Sequence, residues 1–202
     1  MNSEGLLLVI SGPSGCGKGT VCEVLKQRNP DMRVSVSATT RDMRRGEQEG
    51  ITYFFKTKQQ FEEMIRQEQL LEYACGYSGN YYGTPKAYVT EQLALGNDVI
   101  LEIEIQGAMQ VKKKFDAGVF IFLVPPSMEE LYRRLTGRGR ESMDLIKERF
   151  LKASEEIKYV KDYQYVVIND TVDRAVEQIE AILTAEKCKT SRNRDFIAKL
   201  LQ

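Results

Sequence analysis

The sequence predicts an α/β fold, a parallel sheet flanked by helices with a smaller mixed sheet inserted into it. Three observations lead there. Residues 6–10 (Leu-Leu-Leu-Val-Ile) and 119–124 (Val-Phe-Ile-Phe-Leu-Val) are unbroken apolar runs, the mark of strands buried on both faces. Each is followed by a turn and then a helical pattern, and strands alternating with helices build parallel sheets with right-handed crossovers. Between residues 34 and 84 that rhythm gives way to short strand-like pieces separated by glycine-containing turns.

In chain order, the first strand runs into a glycine-rich turn and then a helix over 20–28, with Val21, Val24 and Leu25 at helical spacing. The insertion offers strand pieces at 34–37, 53–55, 70–73 and 80–82, with one helix near 58–68. Residues 99–101 read as a core strand followed by a helix over 108–115. Pro125 and Pro126 stop the strand at 119–124, and Ser127 with Glu130 forms a capping box for a helix over 127–135. Residues 136–142 read as a flexible basic loop between two helices, and 165–168 as the last strand before a helix over 171–186. The expected division is a core of 1–33, 85–136 and 143–202, an insertion of 34–84, and a lid of 137–142. The tail after Lys187 is basic, then mildly amphipathic through Phe196, Ile197, Leu200 and Leu201, a surface for packing in cis or in a homodimer.

Composition narrows the function. With 202 residues, 42% hydrophobic and 29% charged, the chain is an ordinary globular one near the size of a single domain. Twenty-nine basic and 29 acidic residues cancel, so net charge points to neither nucleic acid nor a membrane surface. No apolar run approaches the ~18 residues of a membrane span, and no basic region precedes the first apolar stretch, so a cytoplasmic location is expected. The four cysteines form no C-x-x-C pair and histidine is absent, which removes His-dependent triads and most zinc sites.

The sharpest motif is Gly12-Pro13-Ser14-Gly15-Cys16-Gly17-Lys18-Gly19-Thr20. It fits G-x-x-x-x-G-K, in which backbone N–H groups and a helix N-terminus converge on phosphate oxygens and the lysine reaches the β/γ-phosphates. The bare string arises by chance in roughly one chain of this size in fifteen, so its strand–loop–helix setting carries the weight. Gly19 stands where Ser or Thr ordinarily ligates Mg²⁺; the Thr20 hydroxyl is next in line, for metal or for the α-phosphate. Cys16 lies inside this loop and would sense oxidants if its thiolate were stabilised.

A second cluster runs from Thr39 through Arg41, Arg44, Gly46 and Glu47 to Tyr53. Two guanidiniums on one turn make a fork for a phosphate monoester, and a tyrosine hydroxyl completes the cage; a solvated basic loop reads equally well from charge alone.

Together with Ser78-Gly-Asn-Tyr-Tyr-Gly-Thr84 and Gly137-Arg-Gly139 leading to Arg149, these motifs resemble the guanylate kinase family, over residues 5 to about 186. The resemblance implies a P-loop NTPase-type core, a GMP-binding insertion and a short basic lid. It implies phosphorylation of GMP, and of dGMP, by ATP with Mg²⁺. Ser37, Arg41, Arg44, Tyr53 and Tyr82 resemble the holders of the GMP phosphate and its neighbours, and Glu72 and Thr84, with Ser37, the readers of guanine. Taken by itself, Glu72 reads equally as a surface residue at a strand end. Glu102 and Glu104, placed by alternation on one face of a strand, resemble acidic positions at the GMP side and near Mg²⁺, commonly aspartates; a polar strand end is the other reading. Arg134, Arg138 and Arg149 resemble arginines closing over the transferring phosphoryl group, with Lys18 beside them, and Asn169 a residue near adenine. The stretch 73–79 runs one or two residues longer than the family spacing. A non-catalytic guanylate-kinase-like module binding phosphoproteins is the rival of another class, and it would be expected to lose the loop lysine or the lid arginines.

Overall fold

A computed structural model describes residues 4–76, 79–115, 117–137 and 142–202. Its main sheet holds five parallel strands: β1 (Leu7–Ser11), β2 (Arg33–Val34), β7 (Val99–Glu102), β8 (Val119–Val124) and β9 (Tyr165–Ile168), in the order β2-β7-β1-β8-β9. A second sheet joins β3 (Ala38–Thr39), β4 (Phe54–Phe55), β5 (Leu70–Cys75) and β6 (Tyr81–Pro85) in the order β4-β3-β6-β5. That sheet is mixed, with β3 parallel to β4 and antiparallel to β6.

Both faces of the main sheet are covered, which is why β1 is apolar without interruption. Leu6, Leu8 and Ile10 pack on one side with Val21 and Leu25 of α1 (Lys18–Arg28) and Val176 and Ile179 of α7 (Val172–Lys187). Leu7 and Val9 turn to the other side, against Val89 and Leu93 of α3 (Lys86–Ala94) and Ala108 and Val111 of α4 (Ile105–Lys114). Each such fully buried side chain contributes about 1.5–3 kcal/mol of transfer free energy. The small sheet has its own core of Ala38, Leu70 and Phe61, the last from α2 (Lys58–Arg66), while α5 (Met128–Thr136) and α6 (Met143–Glu156) share a third around Leu131, Leu135 and Ile146. The tail forms α8 (Arg194–Leu200), with Phe196 and Leu200 exposed.

The structure corrects several readings. The strand expected at 34–37 is Arg33–Val34, and it pairs with β7 at the edge of the main sheet rather than opening the insertion. Glu104 is not on a strand: β7 ends at Glu102, and Glu104 is the N-cap of α4. Helix α3 had no clear periodic signal, since only Val89 and Leu93 of its nine residues are buried. The extra length after Glu72 does not displace that residue, because Glu72 stands opposite Thr84 in the β5–β6 ladder. The ladder's irregularity lies between Leu70 and Glu72, and past the ladder Gly76 N–H donates to Asn80 O at 2.8 Å. Arg138 and Ser78 lie outside the described residues.

Candidate active site

The loop of residues 12–17 leaves β1 and enters α1 as the motif requires. Gly17 is its N-cap in the left-handed region (φ 95°), and a Cβ there would come within 2.5 Å of Asn169 Nδ2, so only glycine fits. Side chains hold the loop from outside. Asn169, 3% exposed, donates through Nδ2 to Cys16 O at 2.8 Å. Arg134 donates to Cys16 O (3.3 Å), Asn169 O (2.9 Å) and Glu130 Oε1 (2.8 Å). From α6, Glu156 Oε2 accepts from Ser14 N–H at 3.2 Å, and Arg149 Nη2 donates to Ser14 Oγ at 2.6 Å. Lys18 Nζ donates to Gly12 O (2.6 Å) and Pro13 O (3.2 Å). Glu156 and Lys152 carry no motif, and Glu130 carries only that of a helix start; their contacts in the fold identify them, Glu156 with the Ser14 amide, Glu130 with Arg134 and Lys152 at the loop's cavity. Cys16 is fully buried and burial pushes its thiol up, which opposes an oxidant-sensing thiolate.

Gly12, Ser14, Lys18, Glu104, Arg149 and Glu156 help line a cavity of about 730 Å³. A second cavity of about 500 Å³ is lined by Ser37, Tyr53, Glu72, Tyr82, Glu102, Glu104 and Gly107, among others. Glu104 borders both, so the two spaces adjoin. Both volumes fall within the ~300–1,000 Å³ typical of small-molecule sites. A third, on the outer side of the loop, is lined by Gly15, Gly17, Thr20, Arg134 and Asn169 among others.

In the second cavity Glu72 is 5% exposed and Thr84 1%. Thr84 Oγ1 donates to Glu72 Oε1 at 2.7 Å. The other oxygen faces the first turn of α4, where a Cβ on Gly107 would lie only 2.6 Å from Glu72 Oε2. Burial pushes the Glu72 carboxyl up, against the lowering effects of Thr84 and Lys114. Glu102, though exposed at the end of β7, is shifted the same way by partial desolvation of its carboxyl, opposed by Lys18.

Tyr53 and Tyr82 pack edge to face with ring centres 6.1 Å apart. The Arg41 guanidinium lies 5.3 Å from the Tyr53 ring centre. Its fork is taken up by Glu47, with Nη1 to Oε2 at 2.9 Å and Nη2 to Oε1 at 2.7 Å. Arg44 is exposed, and its backbone N–H donates to Glu47 Oε2 at 2.7 Å.

Thr20 and Glu104, the residues expected near the metal, line different cavities. Thr20 is exposed at the outer cavity, while Glu104 borders the two inner ones and stands 3.9 Å from Lys152. Glu102 lies by the first turn of the loop's helix, its Oε1 3.6 Å from where a Cβ of Gly19 would sit. Among the described residues no three His, Cys, Asp or Glu side chains form a metal cage. Glu102 and Glu104 are hard oxygen donors, and one or two carboxylates beside substrate phosphates is a donor set that fits Mg²⁺.

Comparison with known proteins agrees with this geometry. The pattern of the family described as "Guanylate kinase" matches residues 4–186. A guanylate kinase of Caldanaerobacter subterraneus subsp. tengcongensis is 55% identical over 200 residues, covering 99% of this chain and 97% of that one. One from Shouchella clausii is 57% identical over 189 residues, covering 94% and 92%. The crystal structure of guanylate kinase from Anaplasma phagocytophilum superposes with a TM-score of 0.75 at 34% identity, covering 94% of this chain and 90% of that one. With the family pattern spanning nearly its whole length and a buried carboxylate beside an intact phosphate loop, the chain belongs to the guanylate kinase family.

Proposed function

We propose that the protein transfers the γ-phosphoryl group of ATP to the phosphate of GMP, giving ADP and GDP. The observation that carries this reading is the pair of adjoining cavities, one at the phosphate loop and one holding the buried Glu72–Thr84 pair. Guanine presents N1–H and an exocyclic amine side by side, and a carboxylate accepts from both. Adenine lacks that donor pair and would leave a buried charge unpaired, so it is rejected. Tyr53, Tyr82, Arg41, Arg44 and Ser37 hold the phosphate end of GMP.

The acceptor monoester has a second pKa near 6 and is already an oxyanion at neutral pH, so the reaction needs no general base. Catalysis is positioning and charge neutralisation. The loop amides and Lys18 take the β- and γ-phosphates; Arg149, joined by Arg138 of the lid, takes the charge that develops on the transferring group. Mg²⁺, when bound, neutralises phosphate charge, and Glu102 and Glu104 would hold it, with Thr20 free for the α-phosphate. Asn169 and Arg134 border the adenosine side. The retained Lys18 and Arg149 speak against a non-catalytic binding module.

The test is ADP release from Mg-ATP with GMP, dGMP, AMP, CMP, UMP and dTMP as acceptors. Strong preference for the guanine nucleotides supports the reading. Equal rates with every base keep the kinase and discard the Glu72 assignment, and no turnover with any of them overturns both.

A further inference from the structure

We propose that Glu47 is a positioning residue of the acceptor site, fixing Arg41 and the Arg44 turn as one preformed phosphate clamp. This rests on the reading of Arg41 and Arg44 as the residues that meet the GMP phosphate.

An arginine side chain has four rotatable bonds, and ordering it at the moment of binding costs affinity. Here the cost is met in advance. Both η nitrogens of Arg41 bond to the two oxygens of Glu47 in a side-by-side pair, the strongest geometry available to these groups. Nη1 also donates to Asp42 O at 2.7 Å. The ring of Tyr53 covers one side at 5.3 Å and Phe55 lies 5.9 Å away. Arg41 and Glu47 side chains are 11% and 17% exposed, unlike the solvated ion pairs on the outer helices.

Glu47 also shapes the backbone. Its Oε2 accepts from Arg44 N–H, and its own N–H donates to Arg44 O at 3.1 Å, which closes the turn through Gly46. One carboxylate thereby ties the Arg41 side chain to the Arg44 backbone. Arg41 holds Glu47 down to about 2, so the clamp keeps its charge throughout the physiological range. None of Arg41, Arg44 and Glu47 lines the acceptor cavity itself; Tyr53, whose ring lies against the Arg41 guanidinium, does, and Glu47 reaches that edge only through Arg41 and the Arg44 turn.

The experiment is a double-mutant cycle on the full chain: Glu47→Ala, Glu47→Gln, Arg41→Met and Glu47→Ala/Arg41→Met, with KM for GMP, KM for ATP and Tm measured for each. We expect Glu47→Ala to raise KM for GMP roughly 10- to 100-fold, the range spanned by coupling between contacting charged partners, with KM for ATP unchanged. Glu47→Gln keeps one acceptor and falls between. In the Arg41→Met background the Glu47→Ala change adds less than about twofold, because its effect travels through Arg41. If Glu47→Ala leaves KM for GMP unchanged or lowers it while Arg41→Met raises it, Glu47 is a bystander or a competitor for the fork, and the inference fails alone. Additive effects in the double variant overturn it too, as does a rise in KM for ATP equal to that for GMP. Normal KM for GMP in Arg41→Met instead overturns the phosphate-site reading beneath it. Should Glu47→Ala fail to fold, the Glu47→Gln arm of the cycle decides.

Discussion

Under the proposed function, the phosphate loop and the insertion of residues 34–84 would meet phosphate in opposite ways. The loop offers backbone N–H groups, and its side chains mostly point elsewhere: Ser14 to Arg149, Cys16 into the core. It rests on β1, every residue of which is buried, so its shape is anchored to the centre of the molecule. The insertion offers side chains, from Arg41 to Glu72, on two-residue strands and a hairpin over a core led by Phe61, Leu70 and Ala38. A backbone site is specified by the residues that permit its conformation. A side-chain site is specified by whichever partners hold each group still.

Three perturbations would break or sharpen that contrast. The largest effect is expected at Lys18, where the loop enters α1: Lys18→Met should lower kcat about 1,000-fold, the scale of losing a transition-state donor, with Tm nearly unchanged. A loss under tenfold would shift the donor site's work onto α6. Next, Gly107→Ala places a methyl within 2.6 Å of Glu72 Oε2 and should raise KM for GMP roughly 100-fold while sparing KM for ATP, as expected when bonds to a charged acceptor are lost. Equal rises in both constants would mean that α4 as a whole had moved.

The smallest effect is one of stability. Glu72→Gln removes a buried charge but keeps an acceptor for Thr84, and should raise Tm at pH 8 by roughly 2–4 °C, about 1 kcal/mol, while impairing GMP use. The sign follows from burial having pushed the Glu72 carboxyl up. The protonated form suits the fold, so its stabilising effect is fully present below the unfolded pKa and lost as pH rises through the folded one. The Tm advantage of the variant should therefore shrink as pH falls through the raised Glu72 value and vanish below the ordinary carboxylate range. A pH-independent difference would place the cause in packing rather than charge.

Much of this was legible in the residues, unevenly. Unbroken apolar runs located β1 and β8, and helical patterns α5 and α7, to within a residue or two, because the strands bury both faces and the helices one against a core. They failed at α3, with two buried residues, and at residue 34, whose two-residue edge strand has no pattern to read. Alternation placed Glu102 and Glu104 on one strand, but the strand ends at Glu102; both still border the acceptor cavity. Glu47 and Glu156 lay in plain sight as acidic residues among others. Nothing local distinguishes a carboxylate that faces water from one that faces Arg41 or the Ser14 amide.

The sequence by itself determined the α/β architecture, the phosphate loop and the family, because glycine spacing and apolar runs act over a few neighbouring residues. Tertiary structure alone decided that the two cavities adjoin at Glu104, that Gly107 makes room for Glu72, and that Asn169 grips the loop 153 residues before it in the chain. Such contacts join segments distant in sequence, and their energies depend on burial and geometry that exist only once the chain has folded.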